Sequence, residues 1–169
     1  MVWFRIETEL PQSQCSKCSK TSSEYYELVL QLRFLYTNED DQVKQDVLDY
    51  VLSKTELVNK VEEVDSGFDL YIGDSSQGGK ISSEIKKRYF VEEKKSKTLV
   101  GFDFLRYKRN YKFTHNLTII NLKEGDKLSF KGDEYVIENL SNKDGLTLKE
   151  KSGRKRTLSF SKIKDYIRF

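Results

Sequence analysis

The sequence contains few of the residues from which active sites and cross-links are built. Its 169 residues include one His, one Pro, one Met, one Trp and two Cys. Two cysteines cannot supply the disulfide framework of a small secreted domain. The N-terminus has no basic segment followed by an apolar run, and nowhere do about eighteen apolar residues follow one another. We therefore expect a cytoplasmic protein without a disulfide scaffold and without a membrane partner.

Motifs of known catalytic chemistry are also missing from the sequence. Neither the H-E-x-x-H pattern of metalloproteases nor the G-x-S-x-G pattern of serine hydrolases occurs. Segment 73–81 resembles a phosphate-binding loop, but Lys80 comes one position late and Ile81 replaces the magnesium-binding hydroxyl. The single histidine, His115, has no obvious Ser, Cys or Asp partner, so it is predicted to be packed in a sheet. The sequence predicts a protein that is not an enzyme and has no small-molecule substrate.

Cys15 and Cys18 have the spacing at which a tight turn presents two thiolates to zinc. A structural zinc site needs four ligands, whereas the chain has no second C-x-x-C pair and only His115 in addition. The metal site predicted at Cys15 and Cys18 is therefore incomplete. Either the two thiols are inert, or a zinc ion is shared between two chains, and no other cofactor is expected.

Charge is abundant and unevenly distributed along the chain. Charged residues make up 34% and hydrophobic residues 37% of the sequence, with ten Tyr and ten Phe, which is typical of a soluble globular protein. The formal net charge is +3. Residues 1–65 contain 7 basic and 13 acidic side chains, a net charge of −6, and the remaining residues contain 23 and 14, a net charge of +9. Such a basic region favours a phosphate-bearing partner.

The stretch Glu24–Tyr36 alternates apolar and polar residues as a long β-strand does. The order of predicted elements over residues 22–122 is β-α-β-β-α-β with one additional strand. This order predicts the α+β class and a ferredoxin-like split-βαβ sandwich, a four-stranded antiparallel sheet with two helices on one face. Residues 1–21 are predicted to form a separate amino-terminal segment with the cysteine pair. The helices are predicted at about 39–53 and 75–88, and the later strands at 57–64, 68–72, 90–103 and 107–122.

Short strands and frequent turns characterise the last part of the chain. This pattern of short strands and turns predicts a small SH3-like β-barrel over residues 123–169. Such a barrel offers loops rather than clefts to a partner. Its five strands are predicted at 127–130, 135–140, 146–149, 157–160 and 166–169.

Basic side chains cluster with aromatic ones at two predicted turns. Phosphate groups bind such clusters with release of counterions, and Tyr107 or Tyr111 can stack on an exposed base. The cluster Lys86–Arg88 instead complements the dipole at a helix C-terminus. The residues predicted to bind RNA are Arg106, Lys108, Arg109 and Lys112 at the first turn and Arg154, Lys155 and Arg156 at the second.

Three segments of the chain resemble one known family. The cysteine pair and the strand Tyr25–Arg33 are similar to the C-x-x-C pair and the YYEAxLQLR strand of the nonsense-mediated mRNA decay protein 3 family, in its archaeal-type form. Asp65–Ile72 is similar to the D-G-x-D-F-Y-F hairpin of that family, and Lys94–Gly101 is similar to its K-x-S-x-x-L strand. By motif, the resemblance covers residues 15 to about 122.

The resemblance implies a non-enzymatic adaptor that binds the large ribosomal subunit, through ribosomal RNA, in late assembly or subunit joining. It also implies that most of the family's amino-terminal zinc region, with its several C-x-x-C pairs, is missing, since only Cys15 and Cys18 remain. The carboxy-terminal tail with export signals that eukaryotic members carry is expected to be absent. An alternative is a general RNA-binding or translation accessory module without a specific role in ribosome biogenesis.

Overall fold

The computed structural model describes residues 25–37, 42–55 and 57–168. These residues form two five-stranded β-sheets and three helices, which confirms the mixed α+β class. None of the described helices is both long and apolar enough to cross a membrane. The elements in chain order are β1 (Leu28–Leu35), α1 (Gln42–Lys54), β2 (Val58–Val64), β3 (Gly67–Ile72), α2 (Gln77–Arg88), β4 (Phe90–Asp103), β5 (Lys108–Ile120), β6 (Lys127–Phe130), β7 (Asp133–Ser141), β8 (Gly145–Glu150), β9 (Lys155–Leu158), α3 (Phe160–Ile163) and β10 (Ile167–Arg168).

β1 occupies the centre of the first sheet, whose strand order is β2-β3-β1-β5-β4. Every second side chain of β1, from Leu28 to Phe34, is buried, whereas Gln31 and Arg33 between them are only half-buried. This pattern confirms the predicted alternation. Helices α1 and α2 cover the buried face, as predicted, through side chains that share its core: Val47, Val51, Ile81 and Ile85.

Polar side chains are linked across three strands on the face of the sheet opposite the helices. Arg33 pairs with Asp69 of β3 at 2.7 Å, and the amide of Gln31 donates to the same carboxylate at 3.3 Å. The amide of Asn116 on β5 donates to Gln31 Oε1 at 3.3 Å. Gln31 and Arg33 therefore help to hold β3, β1 and β5 in register.

The arrangement of β4 and β5 differs from the prediction. The sequence predicts a wholly antiparallel four-stranded sheet with an additional strand, but β5 lies beside β1 and runs parallel to it, starting with Leu28 opposite Phe113. β4 lies outside β5, at the edge of the sheet. The physical reason is composition, because β5 contributes the buried Leu117 and Ile119, whereas five of the six residues 92–97 in β4 are charged. Charged side chains protect an edge strand from further pairing.

The second sheet is antiparallel and has the strand order β10-β6-β7-β8-β9. All five predicted strands are present, although Phe160 begins α3 instead of ending a strand. Gly145, at the start of β8, has φ 95°, and a Cβ there would lie 2.3 Å from the carbonyl oxygen of Leu158. Both the backbone conformation and the close approach of β9 therefore require glycine.

A shared hydrophobic cluster joins the two sheets. Phe90, which begins β4, and Ile120, which ends β5, belong to the core of the second sheet. The hydroxyl of Tyr36, just after β1, lies 2.6 Å from the carbonyl oxygen of Ile163 and 2.5 Å from that of Tyr166. Burial, with a smaller effect of a nearby carboxylate, raises the pKa of Tyr36 to about 12, so its hydroxyl stays a donor at neutral pH.

Asn142, in the turn between β7 and β8, makes a second connection between the sheets. Its Nδ2 donates to the carbonyl oxygens of Lys86, at 2.7 Å, and Tyr89, at 3.1 Å. Its Oδ1 accepts from the backbone N–H of Val91 at 2.6 Å. One side chain thus satisfies three backbone groups where α2 ends and β4 begins.

Gly78 allows α2 to approach β1 and β5. A Cβ at Gly78 would lie 2.6 Å from Leu28 Cδ2 and 3.1 Å from two ring atoms of His115. A Cβ at the adjacent Gly79 would have nothing within 4 Å. The two neighbouring glycines of segment 73–81 therefore differ, because only the first is needed for packing.

The Gly78→Ala variant is expected to lower the free energy of unfolding by about 1–3 kcal/mol, because the added methyl group overpacks the buried Leu28. The matched control, Gly79→Ala, is expected to raise the free energy of unfolding by up to about 1 kcal/mol, because alanine favours a helix at an open position. Urea denaturation of the three proteins measures both changes. Equal stability of the two variants would contradict the close packing at Gly78.

Candidate nucleic-acid interface

β4 and β5 continue beyond the end of the first sheet. The pairing of β1 with β5 begins at Phe113, but β4 and β5 are paired out to Asp103 opposite Lys108. Residues 98–112 therefore form a projecting two-stranded ribbon, which we call the arm. Its five β5 residues extend it by roughly 17 Å, at about 3.4 Å per residue.

Hydrogen bonds within the turn hold the apex of the arm. The Asp103 carboxylate accepts from the backbone N–H groups of Leu105, at 3.0 Å, and Arg106, at 3.1 Å. Asp stabilises tight turns in this way. Tyr107 has φ 49°, in the left-handed region that a tight turn often requires. The side chains at the apex are therefore presented from a defined turn.

The arm exposes a concentration of apolar side chains. Phe104 is 79% exposed, Leu105 95% and Tyr107 86%. The ring of Phe102 makes edge contacts with that of Phe104, with centroids 5.0 Å apart, and with that of Tyr107, 6.5 Å apart. Of the eleven large apolar side chains that are exposed in the described residues, six lie in the arm. A contiguous apolar surface of this kind marks an interaction site.

Basic side chains flank this apolar apex. Arg106, Lys108 and Arg109 are exposed, and none of them has an ion-pair partner within the described ranges. The one acid in the arm, Asp103, is engaged in the turn. Lys112 differs, because its Nζ lies 3.5 Å from the centroid of the Tyr26 ring. The first predicted group thus has three exposed cations at the apex and one cation at the base of the arm.

The second predicted group lies at the turn between β8 and β9. Arg154 is exposed, and its side chain has no hydrogen-bond or ion-pair partner in the described part of the chain. Lys155 pairs with Glu138 at 2.7 Å. The pKa of Arg156 is raised, chiefly because its guanidinium hydrogen-bonds the hydroxyl of Tyr166. Among the described residues, such contacts are found for Lys155 and Arg156 but not for Arg154.

The structure does not bring the two predicted groups together. The Ile120 end of β5 packs against the second sheet, whereas the arm is at the opposite end of the same strand. Twelve residues separate Lys108 from Ile120. At about 3.4 Å per residue, this places the apex roughly 40 Å from the junction of the sheets. The first group is therefore far from the junction, and the second group belongs to the other sheet.

The basic residues at the end of α2 are occupied within the chain. Lys86 pairs with Glu93, and Lys87 pairs with Glu84 at 2.5 Å. The guanidinium of Arg88 lies 4.3 Å from the centroid of the Tyr50 ring. These contacts are consistent with the structural role that the sequence predicts for the three cations.

His115 is buried, 9% exposed, and its Nδ1 lies 3.4 Å from the hydroxyl oxygen of Ser82. Its packing against α2 confirms the prediction of a packed, hydrogen-bonded histidine, but the expectation that it has no Ser partner is wrong, because α2 brings Ser82 to its ring. Cys15 and Cys18 lie outside the described residues, so the zinc site stays a prediction. Across residues 25–37, 42–55 and 57–168, no group of three or more His, Cys, Asp or Glu side chains is placed to hold a metal ion.

The apolar part of the apex was not predicted from the sequence. The prediction included the basic residues and two tyrosines, but not Phe104 and Leu105. The signal was present, because two large apolar residues inside a predicted turn have no core to enter.

A family model described as the second domain of NMD3 matches residues 25–119 of the chain. The chain belongs to the NMD3 family. The match covers more than half of the 169 residues and confirms the family that the motifs of the central strand and the two hairpin segments indicate. No curated protein matches the chain. The arm lies entirely inside the NMD3-matched range, whereas the second sheet lies outside it.

The contribution of His115 to stability is expected to decline in acid. Burial, followed by the nearby Lys95, lowers the pKa of His115 from 6.5. His115 therefore takes up a proton at a higher pH in the unfolded chain than in the folded chain. Its contribution to the free energy of unfolding is complete above about pH 6.5 and is lost as the pH falls toward the folded pKa.

Urea denaturation at about pH 7.5 and about pH 5.5 tests this expectation on the unaltered chain and on His115→Gln. The variant is expected to lose less of its free energy of unfolding on acidification, because glutamine does not titrate. An equal loss in both proteins would contradict a depressed histidine pKa.

Proposed function

We propose that this chain is a non-enzymatic factor that binds the large ribosomal subunit, through ribosomal RNA, in late assembly or subunit joining. Membership of the NMD3 family, whose members are ribosome-associated, supports the proposal. The observation that carries it is the arm, which presents an exposed apolar apex and three cations without ion-pair partners in the described ranges.

The chemistry of the arm suits RNA better than an enzyme substrate. Arg106, Lys108 and Arg109 would neutralise phosphates and release counterions, which favours binding at low salt. Tyr107, with its ring exposed, would stack on an unpaired base. The major groove of A-form RNA is too deep and narrow for a ribbon of two strands, so the arm would contact the backbone, the shallow minor groove or an unpaired loop.

The second group would contact a separate segment of RNA. Arg154, Lys155 and Arg156 lie on the second sheet, whereas the apex of the arm is roughly 40 Å from the junction of the sheets by strand length. Arg154 is the member of this group with the greatest freedom to reach a phosphate, because the other two have contacts inside the chain. Simultaneous contact at two separate positions would restrict binding to an RNA surface with the matching spacing.

The alternative is a general RNA-binding or translation accessory module. Such a module would also bind RNA phosphates through the basic side chains, but it would need no particular ribosomal surface. Sedimentation of cell lysate separates the two functions, since co-migration with free large subunits supports the first and exclusive migration at the top of the gradient rejects it.

The proposed function includes a specific fold for each of the two domains and a cellular location. The order β1-α1-β2-β3-α2 fits the first part of a ferredoxin-like domain over residues 22–122. The order β10-β6-β7-β8-β9, with a short helix before the last strand, fits an SH3-like barrel over residues 123–169. A factor that acts on ribosomal subunits in this way would be cytoplasmic.

Charge reversal of the arm, in the variant Arg106→Glu/Lys108→Glu/Arg109→Glu, is expected to weaken binding to purified large subunits by about tenfold or more. The slope of log K against log salt should fall by roughly two to three, because about three phosphate contacts are lost. Sedimentation with purified subunits at several salt concentrations measures both quantities.

The matched control is Lys123→Glu/Lys143→Glu/Lys164→Glu, which makes the same change of charge at three exposed lysines outside the arm. This control is expected to change binding and its salt dependence much less. Unchanged binding by the arm variant would contradict the proposed role of the arm. Arg154→Glu alone tests the second group, and its effect should add to that of the arm variant because the sites are far apart.

A further inference from the structure

A small aromatic pocket lies at the base of the arm. It has a volume of about 330 Å³ and is lined by Tyr26, Asn59, Lys60 and Tyr71. The rings of Tyr26 and Tyr71 are nearly perpendicular, at 77°, with centroids 4.9 Å apart. The two tyrosines come from different parts of the sheet, because Tyr26 precedes β1 and Tyr71 belongs to β3. The pocket therefore has two aromatic walls that meet at a corner.

Two ammonium groups stand over these walls. Lys112 Nζ lies 3.5 Å from the centroid of the Tyr26 ring, and Lys60 Nζ lies 5.7 Å from that of Tyr71. Lys60 also pairs with Glu62 at 2.5 Å, and the hydroxyl of Tyr71 donates to the same carboxylate at 2.7 Å. Glu62 thus has two donors, and it holds the Tyr71 ring in place.

The charge of the pocket decides which kind of ligand it fits. A corner of aromatic rings is the usual site for a quaternary or methylated ammonium ion. Here two lysines already occupy cation positions, and Glu62 pairs with Lys60, so a further cation would be repelled chiefly by Lys112. A flat ring with an attached anion fits both features, since the ring stacks on tyrosine and the anion meets lysine. The volume is near the lower limit of small-molecule sites and suits one nucleotide rather than a longer ligand.

The position of Lys112 connects the pocket to the arm. Lys112 is the last β5 residue of the arm before the pairing with β1 begins at Phe113. A strand of RNA that follows the basic residues of the arm from its apex would therefore reach the pocket at its base. The pocket is also on the face of the sheet away from α1 and α2, because Lys112, Asn116 and Thr118 alternate on that face of β5.

We infer that the pocket formed by Tyr26, Lys60 and Tyr71 binds one unpaired nucleotide of a single-stranded RNA whose backbone follows the arm. The base stacks on a tyrosine ring, and Lys60 and Lys112 contact the phosphate. This inference rests on the proposed function, because it assumes an RNA partner, but it assigns a second and separate site. The sequence offers no sign of it, since Tyr26, Lys60 and Tyr71 are brought together only by the sheet.

Crosslinking of the unaltered full chain to a single-stranded pentaribonucleotide with one 4-thiouridine tests the position of the site. Crosslinks are expected on the peptides that contain Tyr26 or Tyr71. Crosslinks confined to residues 98–111 would overturn the pocket while supporting the arm as an RNA contact. A chain that neither crosslinks nor binds the oligonucleotide would overturn the pocket, and loss of large-subunit binding would be needed to overturn the proposed function as well.

Titration calorimetry with the same oligonucleotide and with a blunt RNA duplex tests the chemistry. Tyr71→Leu is expected to weaken single-strand binding by about fivefold or more, because a stacking surface is lost, with little change for the duplex. Tyr71→Phe keeps the ring and is expected to bind within about twofold of the unaltered chain. The arm variant should weaken binding to both RNAs. Equal losses from Tyr71→Leu and Tyr71→Phe, or no loss from Tyr71→Leu in a folded protein, would overturn the inference.

Discussion

β1 has hydrogen-bonded neighbours that run in opposite directions, since β3 is antiparallel to it and β5 is parallel. Because β5 is parallel to β1, the ends of both strands, Leu35 and Ile120, lie side by side where the second sheet packs. The first half of β5 must then extend past Leu28 in the other direction, with β4 paired to it. This single pairing therefore fixes the contact between the sheets and the direction in which the arm projects.

The junction of the sheets gives the molecule its second constraint. Tyr36 and Asn142 bind backbone groups across the junction, and a shared hydrophobic cluster fills it. Side chains that each bind several backbone groups across the junction restrict the orientation of one sheet relative to the other. These contacts hold the first sheet, with the arm, in a defined orientation to the second sheet, which contains the turn between β8 and β9. A partner can therefore contact the arm and the turn between β8 and β9 at the same time only if its binding surfaces have the same spacing.

The sequence was sufficient to predict the helices and strands, but not which strands lie next to each other in the sheets. Alternation identified β1, because a period of two reports which side chains face the core. It could not identify the strand beside β1, since periodicity contains no information on pairing. The basic residues were visible as two clusters, but their separation depends on which end of β5 meets the second sheet. The pocket of Tyr26 and Tyr71 depends on pairing across the sheet, so no local pattern could predict it.

Hydrogen exchange of the full chain, with and without purified large ribosomal subunits, tests most directly whether the arm carries the binding. A ribbon of two strands is only marginally stable alone, so its amides exchange readily in the free chain. We expect the amides of residues 98–112 to exchange more slowly in the complex, while those of α1 keep their rates. Slower exchange confined to the helices or the second sheet, with the arm unchanged, would contradict it.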